Sequence, residues 1–196
     1  MPGEFFSVTV YCGSCRVDAQ YRNAARELGR AIGDRGWRLV YGGNDTGMMG
    51  DLADGCRDAG GHVTGISPAL FGDVSDKRCD EFVVAEDMSH RKAELQRRAD
   101  GFVALPGGIG TLEEFFETLV GRHIGVHGKP VILLNLDGFY TPLIDWLRNC
   151  TDAGFVRPKV WEQLHVVDTI ADAIALLAEA AVGPARTPDS VPAGAG

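Results

Sequence analysis

Six short, mostly apolar runs alternate along this chain with longer runs whose apolar residues recur at helical spacing. The short runs, expected to form strands, are 7–11, 38–41, 62–66, 82–85, 101–105 and 130–136. The longer runs, expected to form helices, are 19–33, 48–59, 89–99, 111–120, 140–150 and 169–181. Apolar strands that are followed by helices are typical of a parallel sheet covered on both faces. We therefore predict an α/β fold, a doubly wound, mainly parallel, Rossmann-like sheet in a single domain.

Length and charge narrow the classes of protein further. A chain of 196 residues suits one domain, which we expect to span 1–182. The segment 183–196 is rich in Gly, Pro, Ala, Thr and Ser, and we expect a disordered tail there. The formal net charge of −8 argues against nucleic-acid binding through a basic face. A small phosphate ligand stays compatible with it, because a few basic groups and backbone amides bind one locally.

The sequence also bears on the compartment. Residues 1–6 lack the basic start of a signal peptide, and no apolar stretch approaches the roughly 20 residues of a membrane span, so we expect a cytoplasmic protein without membrane contact. Five scattered cysteines do not form a disulfide pattern. Cys12 and Cys15 have C-x-x-C spacing. We favour a buried strand end at Cys12 over a redox pair, although redox chemistry stays open.

Three glycine-rich turns follow predicted strands: Cys12-Gly13-Ser14, Gly42-Gly43-Asn44 and Pro106-Gly107-Gly108-Ile109-Gly110-Thr111. Ligands of such sheets bind at the carboxyl ends of the strands. In the third turn Pro106 stiffens the exit from the strand, and the glycines let backbone approach a ligand. We expect Thr111 to begin the helix, whose unpaired N–H groups then form a phosphate site. The turn matches neither the P-loop nor the dinucleotide fingerprint, which favours a monophosphate ligand.

Two carboxylates, Glu113 and Glu114, follow this turn at once. One interpretation is a capping box, in which Thr111 and Glu114 serve the helix end. The other is catalysis, because a carboxylate beside bound phosphate suffers like-charge repulsion unless it has a role or a neutralising cation. The sequence supports the capping interpretation and the catalytic interpretation about equally.

The apolar pattern of this helix predicts which way its side chains face. Leu112, Phe115 and Leu119 are expected to face the core, as is Phe116, which leaves Glu114 and Glu117 on another side of the helix.

The cation for that site is expected from the preceding helix. Arg91 and Lys92 lie in its first turn, where a positive side chain is unfavourable because it faces the positive end of the helix dipole. Residues placed against this preference indicate a functional role. Arg91 is suited to bind phosphate or ribose hydroxyls, and Lys92 adds a second charge. Arg97 and Arg98 are expected to be solvated surface.

These residues resemble the LONELY GUY family of cytokinin riboside 5′-monophosphate phosphoribohydrolases, whose members were often labelled lysine decarboxylases. The paired motifs P-G-G-x-G-T-x-x-E and R-K stand here at 106–114 and 91–92, and the resemblance covers about residues 6–180. It implies a Rossmann-like homodimer with active sites near the subunit interface, a small-molecule nucleotide substrate, and no metal or organic cofactor. No pattern marks a lysine for pyridoxal phosphate, so the decarboxylase label finds no support in the residues.

The resemblance also assigns roles to residues. It implies that Arg91 and Glu114 are catalytic, and that the Gly107 to Thr111 segment holds the phosphate. The residues expected to bind substrate are Gly13, Ser14, Gly43, Lys92, Pro106, Gly107, Gly108, Ile109, Gly110, Thr111 and Glu113.

Departures from the family pattern concern the substrate. Many relatives have a third glycine where this chain has Asn44, and Val120, Gly121 and His123 replace residues near the nucleotide. These three positions leave the preferred base open. Asp73 falls near an acidic ligand-contacting position of relatives.

The predicted reaction is hydrolysis of the bond between the base and the ribose phosphate of a nucleoside 5′-monophosphate. Cleavage develops oxocarbenium character on the ribose, which a carboxylate such as Glu114 stabilises while it orients or deprotonates water. Three alternatives stay open. They are the same chemistry on another nucleoside monophosphate in a specialised biosynthetic pathway, a non-catalytic nucleotide-binding protein, and a dinucleotide oxidoreductase.

Overall fold

The protein folds around one seven-stranded sheet in the computed structural model, which describes residues 5–71 and 76–182. Its strands are β1 (Ser7–Tyr11), β2 (Arg38–Tyr41), β3 (His62–Pro68), β4 (Glu81–Ala85), β5 (Gly101–Ala104), β6 (Val131–Leu134) and β7 (Leu164–Val167). Its helices are α1 (Ala19–Gly33), α2 (Gly47–Asp58), α3 (Met88–Arg98), α4 (Ile109–His123), α5 (Thr141–Asp152), α6 (Val160–Gln163) and α7 (Ile170–Val182). Two single 3-10 turns lie at Ala69–Phe71 and Leu136–Gly138.

The strand order is β4-β3-β2-β1-β5-β6-β7, and every pairing is parallel. The predicted doubly wound, Rossmann-like sheet in a single domain is therefore confirmed. Successive strands run outward from β1 in one direction up to β4, and from β5 onward in the other. The order of the chain thus reverses between β1 and β5, and this switch point is where sheets of this kind bind ligands.

Two helical layers bury the two faces of the sheet. Helices α1, α2 and α7 pack on one face, and α3, α4 and α5 on the other. The alternation of side chains along β1 shows the division, because Val8 and Val10 join the first layer and Tyr11 joins the second. Strands that are buried on both faces have to be apolar throughout, which explains the runs in the sequence.

Helices α1 and α2 approach each other closely through glycines. A Cβ at Gly29 would lie 2.0 Å from the carbonyl oxygen of Leu52, and one at Gly55 would lie 2.0 Å from that of Arg26. The backbones of the two helices therefore touch at positions where no larger residue fits.

The predicted elements agree with the structure to within three residues at their ends, but one strand was missed. β7 has only four residues, includes His165 and lies at the edge of the sheet, so it lacks the long apolar run of a central strand. The short helix α6 before it was missed as well. The expected tail at 183–196 lies outside the described residues. None of the described helices is long and apolar enough to cross a membrane.

Candidate active site

The switch point brings two of the predicted glycine-rich turns side by side. The Leu105 N–H donates to the Tyr11 carbonyl at 3.0 Å, which joins the ends of β5 and β1 just before their turns. The buried Tyr140 hydroxyl, from the start of α5, donates to the Leu105 carbonyl at 2.8 Å. Burial raises the pKa of this phenol, opposed by a backbone hydrogen bond from Gly107. Tyr140 thus fixes the exit of β5, which leads into Pro106.

The turn after β1 is held against the start of α2. The Met49 N–H donates to the Gly13 carbonyl at 3.3 Å, and the Thr46 hydroxyl donates to the Ser14 carbonyl at 3.3 Å. Gly47 has a φ of +58°, and a Cβ there would lie 2.4 Å from the Ser14 carbonyl oxygen. Gly13 and Ser14 therefore have fixed positions at the carboxyl end of β1.

A buried ion pair joins α3 to α4 beside these turns. Nη1 of Arg91 lies 2.5 Å from Oε1 of Glu114, and the two side chains are only 6% and 8% exposed. Nε of Arg91 also donates to the Ile66 carbonyl at 3.2 Å. The structure thus brings the two predicted catalytic residues into direct contact, with the guanidinium held on a second side by β3.

The turn after β2 makes room for this guanidinium. A Cβ at Gly42 would lie 2.5 Å from Nη2 of Arg91, so any larger residue would displace the arginine. Gly43, which was predicted to bind substrate, is buried with a φ of +74°, and a Cβ there would lie 3.0 Å from the Phe82 ring. Sequence reasoning placed Gly42 in a glycine-rich turn but did not name it among the site residues, although its place beside Gly43 was a usable signal.

The electrostatics of the pair favour a carboxyl group that is ready to exchange a proton. Burial raises the pKa of Glu114, because a charge is costly away from water, and the Arg91 guanidinium opposes this rise. Perturbed carboxyl groups at a strand-end crevice are typical of catalytic sites.

The start of α4 differs from the sequence expectation. The helix begins at Ile109, with Gly108 as its N-cap and no side-chain capping bond, so Thr111 lies inside the first turn instead of beginning it. Glu114 contacts Arg91, and Thr111 packs over Gly107, where a Cβ would lie 2.3 Å from the Thr111 hydroxyl oxygen. The capping-box interpretation is therefore wrong.

The first residues of α4 lie against open space. Ile109 is 90% exposed, and no atom lies within 4 Å of a Cβ built at Gly108 or Gly110. The first turn contains no acidic side chain. The helix N-terminus therefore leaves backbone N–H groups and the positive end of its dipole open to solvent, an arrangement that suits an anion. Pro106 and Thr111 are buried beneath this opening.

Two expectations about side-chain direction were wrong. Glu114 does not lie on a polar side of α4. It is buried on the same stripe as Phe115, because α3 supplies a partner charge. Arg98 is not solvated surface either, since it is half-buried and paired with Glu81 and Glu94.

Lys92 does not face the opening at the start of α4. Its ammonium contacts the Glu113 carboxylate and lies 3.2 Å from that of Glu117, with the lysine side chain 17% exposed. Both carboxylates raise the pKa of this lysine. Lys92 and Glu113, predicted to bind substrate, thus pair with each other on the outer side of the site.

The three residues that leave the preferred base open lie at the far end of α4. Val120 is exposed, and the His123 ring contacts the Gln163 side chain at 3.0 Å. A Cβ at Gly121 would meet the buried His127 ring at 3.4 Å, an ordinary contact. Asp73 lies outside the described residues.

All five cysteines are free thiols. Cys12 is buried directly after β1 and Cys15 is exposed, which agrees with the favoured interpretation of Cys12 as a strand end. Burial raises the pKa of the Cys12 thiol, which makes it a poor nucleophile. Among residues 5–71 and 76–182, no three His, Cys, Asp or Glu side chains converge in a way that could hold a metal ion.

Comparisons with known proteins identify relatives of this chain. A family described as "Possible lysine decarboxylase" matches residues 49–177. A cytokinin riboside 5′-monophosphate phosphoribohydrolase of Mycobacterium tuberculosis is 37% identical over 171 residues, covering 86% of this chain and 91% of the relative. One of Rhodococcoides fascians is 41% identical over 175 residues, covering 87% and 88%.

Solved structures share the fold. The molybdenum cofactor carrier protein of Chlamydomonas reinhardtii has a TM-score of 0.71 and 26% identity, covering 92% of this chain and all of that one (100%). The molybdenum cofactor binding protein of Rippkaea orientalis has the same TM-score of 0.71 at 23% identity, which speaks for the fold alone. With the paired motifs in contact and relatives matched over most of its length, the chain belongs to the LONELY GUY family of cytokinin riboside 5′-monophosphate phosphoribohydrolases.

Proposed function

We propose that this protein hydrolyses the N-glycosidic bond of a nucleoside 5′-monophosphate to free base and ribose 5-phosphate. The observation that carries the proposal is the buried contact between Arg91 and Glu114 at the switch point of the sheet, beside the uncapped start of α4. Family membership supports the same reaction, since the relatives are named phosphoribohydrolases.

The start of α4 is the proposed phosphate site. The backbone N–H groups of the segment from Gly108 to Thr111 and the dipole of a four-turn helix favour a dianionic phosphate. Gly108 and Gly110 leave room for that phosphate to approach the backbone closely. Gly13, Ser14 and Gly43 would line the neighbouring strand ends, and Lys92 with Glu113 would bound the site from outside.

Glu114 is the proposed catalytic carboxylate. Cleavage of the bond to the base leaves positive charge on C1′ of the ribose, which a carboxylate in a dry site stabilises strongly. The same carboxylate can orient the attacking water and accept its proton. Arg91 orients Glu114 and favours its ionised form against the effect of burial, and its remaining N–H groups are suited to hold ribose or phosphate oxygens.

The substrate, the oligomeric state and the compartment are proposed as well. We expect a cytokinin riboside monophosphate or AMP as substrate, with Val120, Gly121 and His123 tuning the choice of base. A homodimer is supported by Val120, Ile124 and Val126, which leave an exposed apolar region at the end of α4. Light scattering coupled to gel filtration would test it. Five free thiols support a reducing compartment such as the cytoplasm.

Chromatography of free-base release tests the proposed reaction. AMP and isopentenyladenosine monophosphate are incubated separately with wild type and with Glu114→Ala. Release of base by wild type from either nucleotide, lost in the variant, would establish the reaction, and the ratio of the two rates would give the preferred base. Full turnover by Glu114→Ala would refute the role of Glu114.

A non-catalytic nucleotide carrier is the second candidate, favoured by the similarity of the fold to a molybdenum cofactor carrier protein. A pure binder has no need of a buried carboxylate beside a phosphate site. Tight binding of a monophosphate by calorimetry without release of base would favour the carrier instead.

A further inference from the structure

A buried hydroxyl pair adjoins the helical turn that carries the proposed catalytic carboxylate. Thr118 is one helical turn after Glu114 on α4 and is fully buried. Its hydroxyl donates to the Glu114 carbonyl at 2.9 Å and lies 2.8 Å from the hydroxyl of Tyr11, the last residue of β1. Neither residue contributes to the proposed chemistry, so their buried polar groups call for another explanation.

Proton counting fixes the direction of this chain of hydrogen bonds. The single hydroxyl proton of Thr118 goes to the Glu114 carbonyl, which can only accept. Tyr11 must therefore donate its phenol proton to the Thr118 oxygen. A phenol keeps its proton at neutral pH, and burial raises the pKa of Tyr11 further. The result is a relay from Tyr11 through Thr118 to the backbone of Glu114.

Tyr11 is itself held firmly. Its carbonyl accepts the Leu105 N–H at 3.0 Å, and its ring stacks on Phe102 of β5 with ring centres 6.1 Å apart. It also directly precedes Cys12, at the start of the turn that contains Gly13 and Ser14. One residue thus connects the exits of both switch-point strands to the turn of α4 that carries Glu114.

We propose that Tyr11 and Thr118 form a positioning pair. The pair fixes where α4 lies along its own axis relative to β1, and so holds the Glu114 carboxylate at the reacting carbon. The inference rests on the proposed function. Ridge-and-groove packing alone lets a helix slide by fractions of an ångström, whereas a directional bond between buried hydroxyls fixes its position along the axis. The phosphate site at the start of α4 depends on backbone N–H groups and tolerates such a shift better than the transition state does.

The chain contains a matched control on another helix. Thr151 of α5 donates to the Leu147 carbonyl at 3.0 Å and accepts from Nε1 of Trp161 at 3.0 Å. This is the same hydrogen-bond pattern, a back-bonded threonine hydroxyl that accepts from an aromatic donor. It involves none of the residues that form the site. Thr151→Val therefore removes an equivalent group without disturbing Glu114.

The test is steady-state kinetics of base release for Tyr11→Phe, Thr118→Val, Thr118→Ser, Tyr11→Phe/Thr118→Val and Thr151→Val. We expect kcat to fall about tenfold in Tyr11→Phe and Thr118→Val with KM unchanged, because misplacement by a fraction of an ångström weakens transition-state contacts first. Thr118→Ser keeps the hydroxyl and should keep kcat. The double variant should lose no more than the worse single variant, since both remove one interaction.

The outcomes separate this inference from the proposed function. If Tyr11→Phe and Thr118→Val keep kcat at the level of Thr151→Val while wild type is active, the positioning role is refuted and the reaction stands. If wild type releases no base from any monophosphate, the proposed function itself fails. Tyr11→Phe removes one oxygen and leaves the ring in place, so it remains a valid test even if Thr118→Val does not fold.

Discussion

Two helix pairs, one on each face of the sheet, are held together in opposite ways. Between α1 and α2 the backbones touch at glycines, and charged side chains pair only at the rim, as in the contact of Arg22 with Asp51 at 2.6 Å, where the arginine is 50% exposed. Between α3 and α4 the opposite holds, because Arg91 and Glu114 bury their charges in the contact itself. The first arrangement serves packing, and the second forms the proposed active site within the same fold.

The difference shows what the buried pair costs. Exposed pairs contribute about 0–1 kcal/mol to stability. Burying a pair takes both charges out of water, and a protein with apolar residues in their place is often as stable or more stable. Burial raises the pKa of Glu114 despite the facing guanidinium, which agrees with a net cost of this kind. Such a cost is consistent with the catalytic role proposed for the pair.

The largest expected effect comes from removing one member of the buried pair. Glu114→Ala should lower the free energy of unfolding by about 3–5 kcal/mol, because Arg91 is left buried without its carboxylate. Arg91→Met/Glu114→Leu removes both charges and should recover most of that loss while base release stays abolished. Urea unfolding of the three proteins measures this, and a double variant as unstable as Glu114→Ala would contradict the account.

The second-largest expected effect comes from adding a side chain at the glycine contact between α1 and α2. Gly55→Ala should cost about 3 kcal/mol, because its Cβ would lie 2.0 Å from the Arg26 carbonyl oxygen and the helices must separate. Thermal unfolding by circular dichroism measures the loss. Gly121→Ala is the control, since its Cβ meets only the His127 ring, at 3.4 Å, and it should not destabilise the protein. Equal losses would show that glycine packing does not hold α1 against α2.

Much of the fold was predictable, because central parallel strands and amphipathic helices leave periodic patterns in the sequence. β7 was not predictable in that way, since a four-residue edge strand with His165 resembles a loop. Its identity as a strand comes from pairing with β6, a contact distant along the chain.

The sequence named the residues of the proposed site, but it did not show which contacts they make. Glycine spacing located the turns, and the paired motifs named Arg91 and Glu114. The burial of Glu114 could not be read from α4 alone, because the partner charge comes from α3. The role of Gly42 likewise depends on a side chain 49 positions further along the chain. Such facts follow from the tertiary arrangement, which local patterns do not encode.

A smaller effect is expected at the start of α4, where one substitution should raise the stability of the protein and weaken substrate binding. Gly110→Ala should stabilise the protein by about 0.5 kcal/mol, because its Cβ meets no atom and alanine restricts the unfolded chain. It should also raise KM for the monophosphate, since the methyl group occupies space proposed for phosphate. Unfolding curves and kinetics measure both changes. Gly128→Ala, also in open space, is the control, and an unchanged KM in Gly110→Ala would argue against the phosphate site.

The smallest expected effect is on pH dependence. Because burial raises the pKa of Glu114, kcat/KM should fall on acidification at a higher pH than the ordinary glutamate pKa of about 4.3 would give. The folded protein also holds this proton more tightly than the unfolded chain does. Glu114 therefore lowers stability as the pH rises from the ordinary pKa through the raised one. The difference in unfolding free energy between wild type and Glu114→Gln should follow that sign, and the opposite slope would contradict it.

The measurement that tests the central claim most directly compares binding and turnover in Glu114→Gln, which keeps the size of the side chain and removes its charge. Nucleotide affinity is measured by calorimetry with AMP or isopentenyladenosine monophosphate, and base release by chromatography on the same sample. We predict affinity within a few-fold of wild type and turnover reduced by about 100-fold or more, since the carboxylate acts only in the transition state. Turnover equal to that of wild type would show that the buried pair of Arg91 and Glu114 serves the fold and not the reaction.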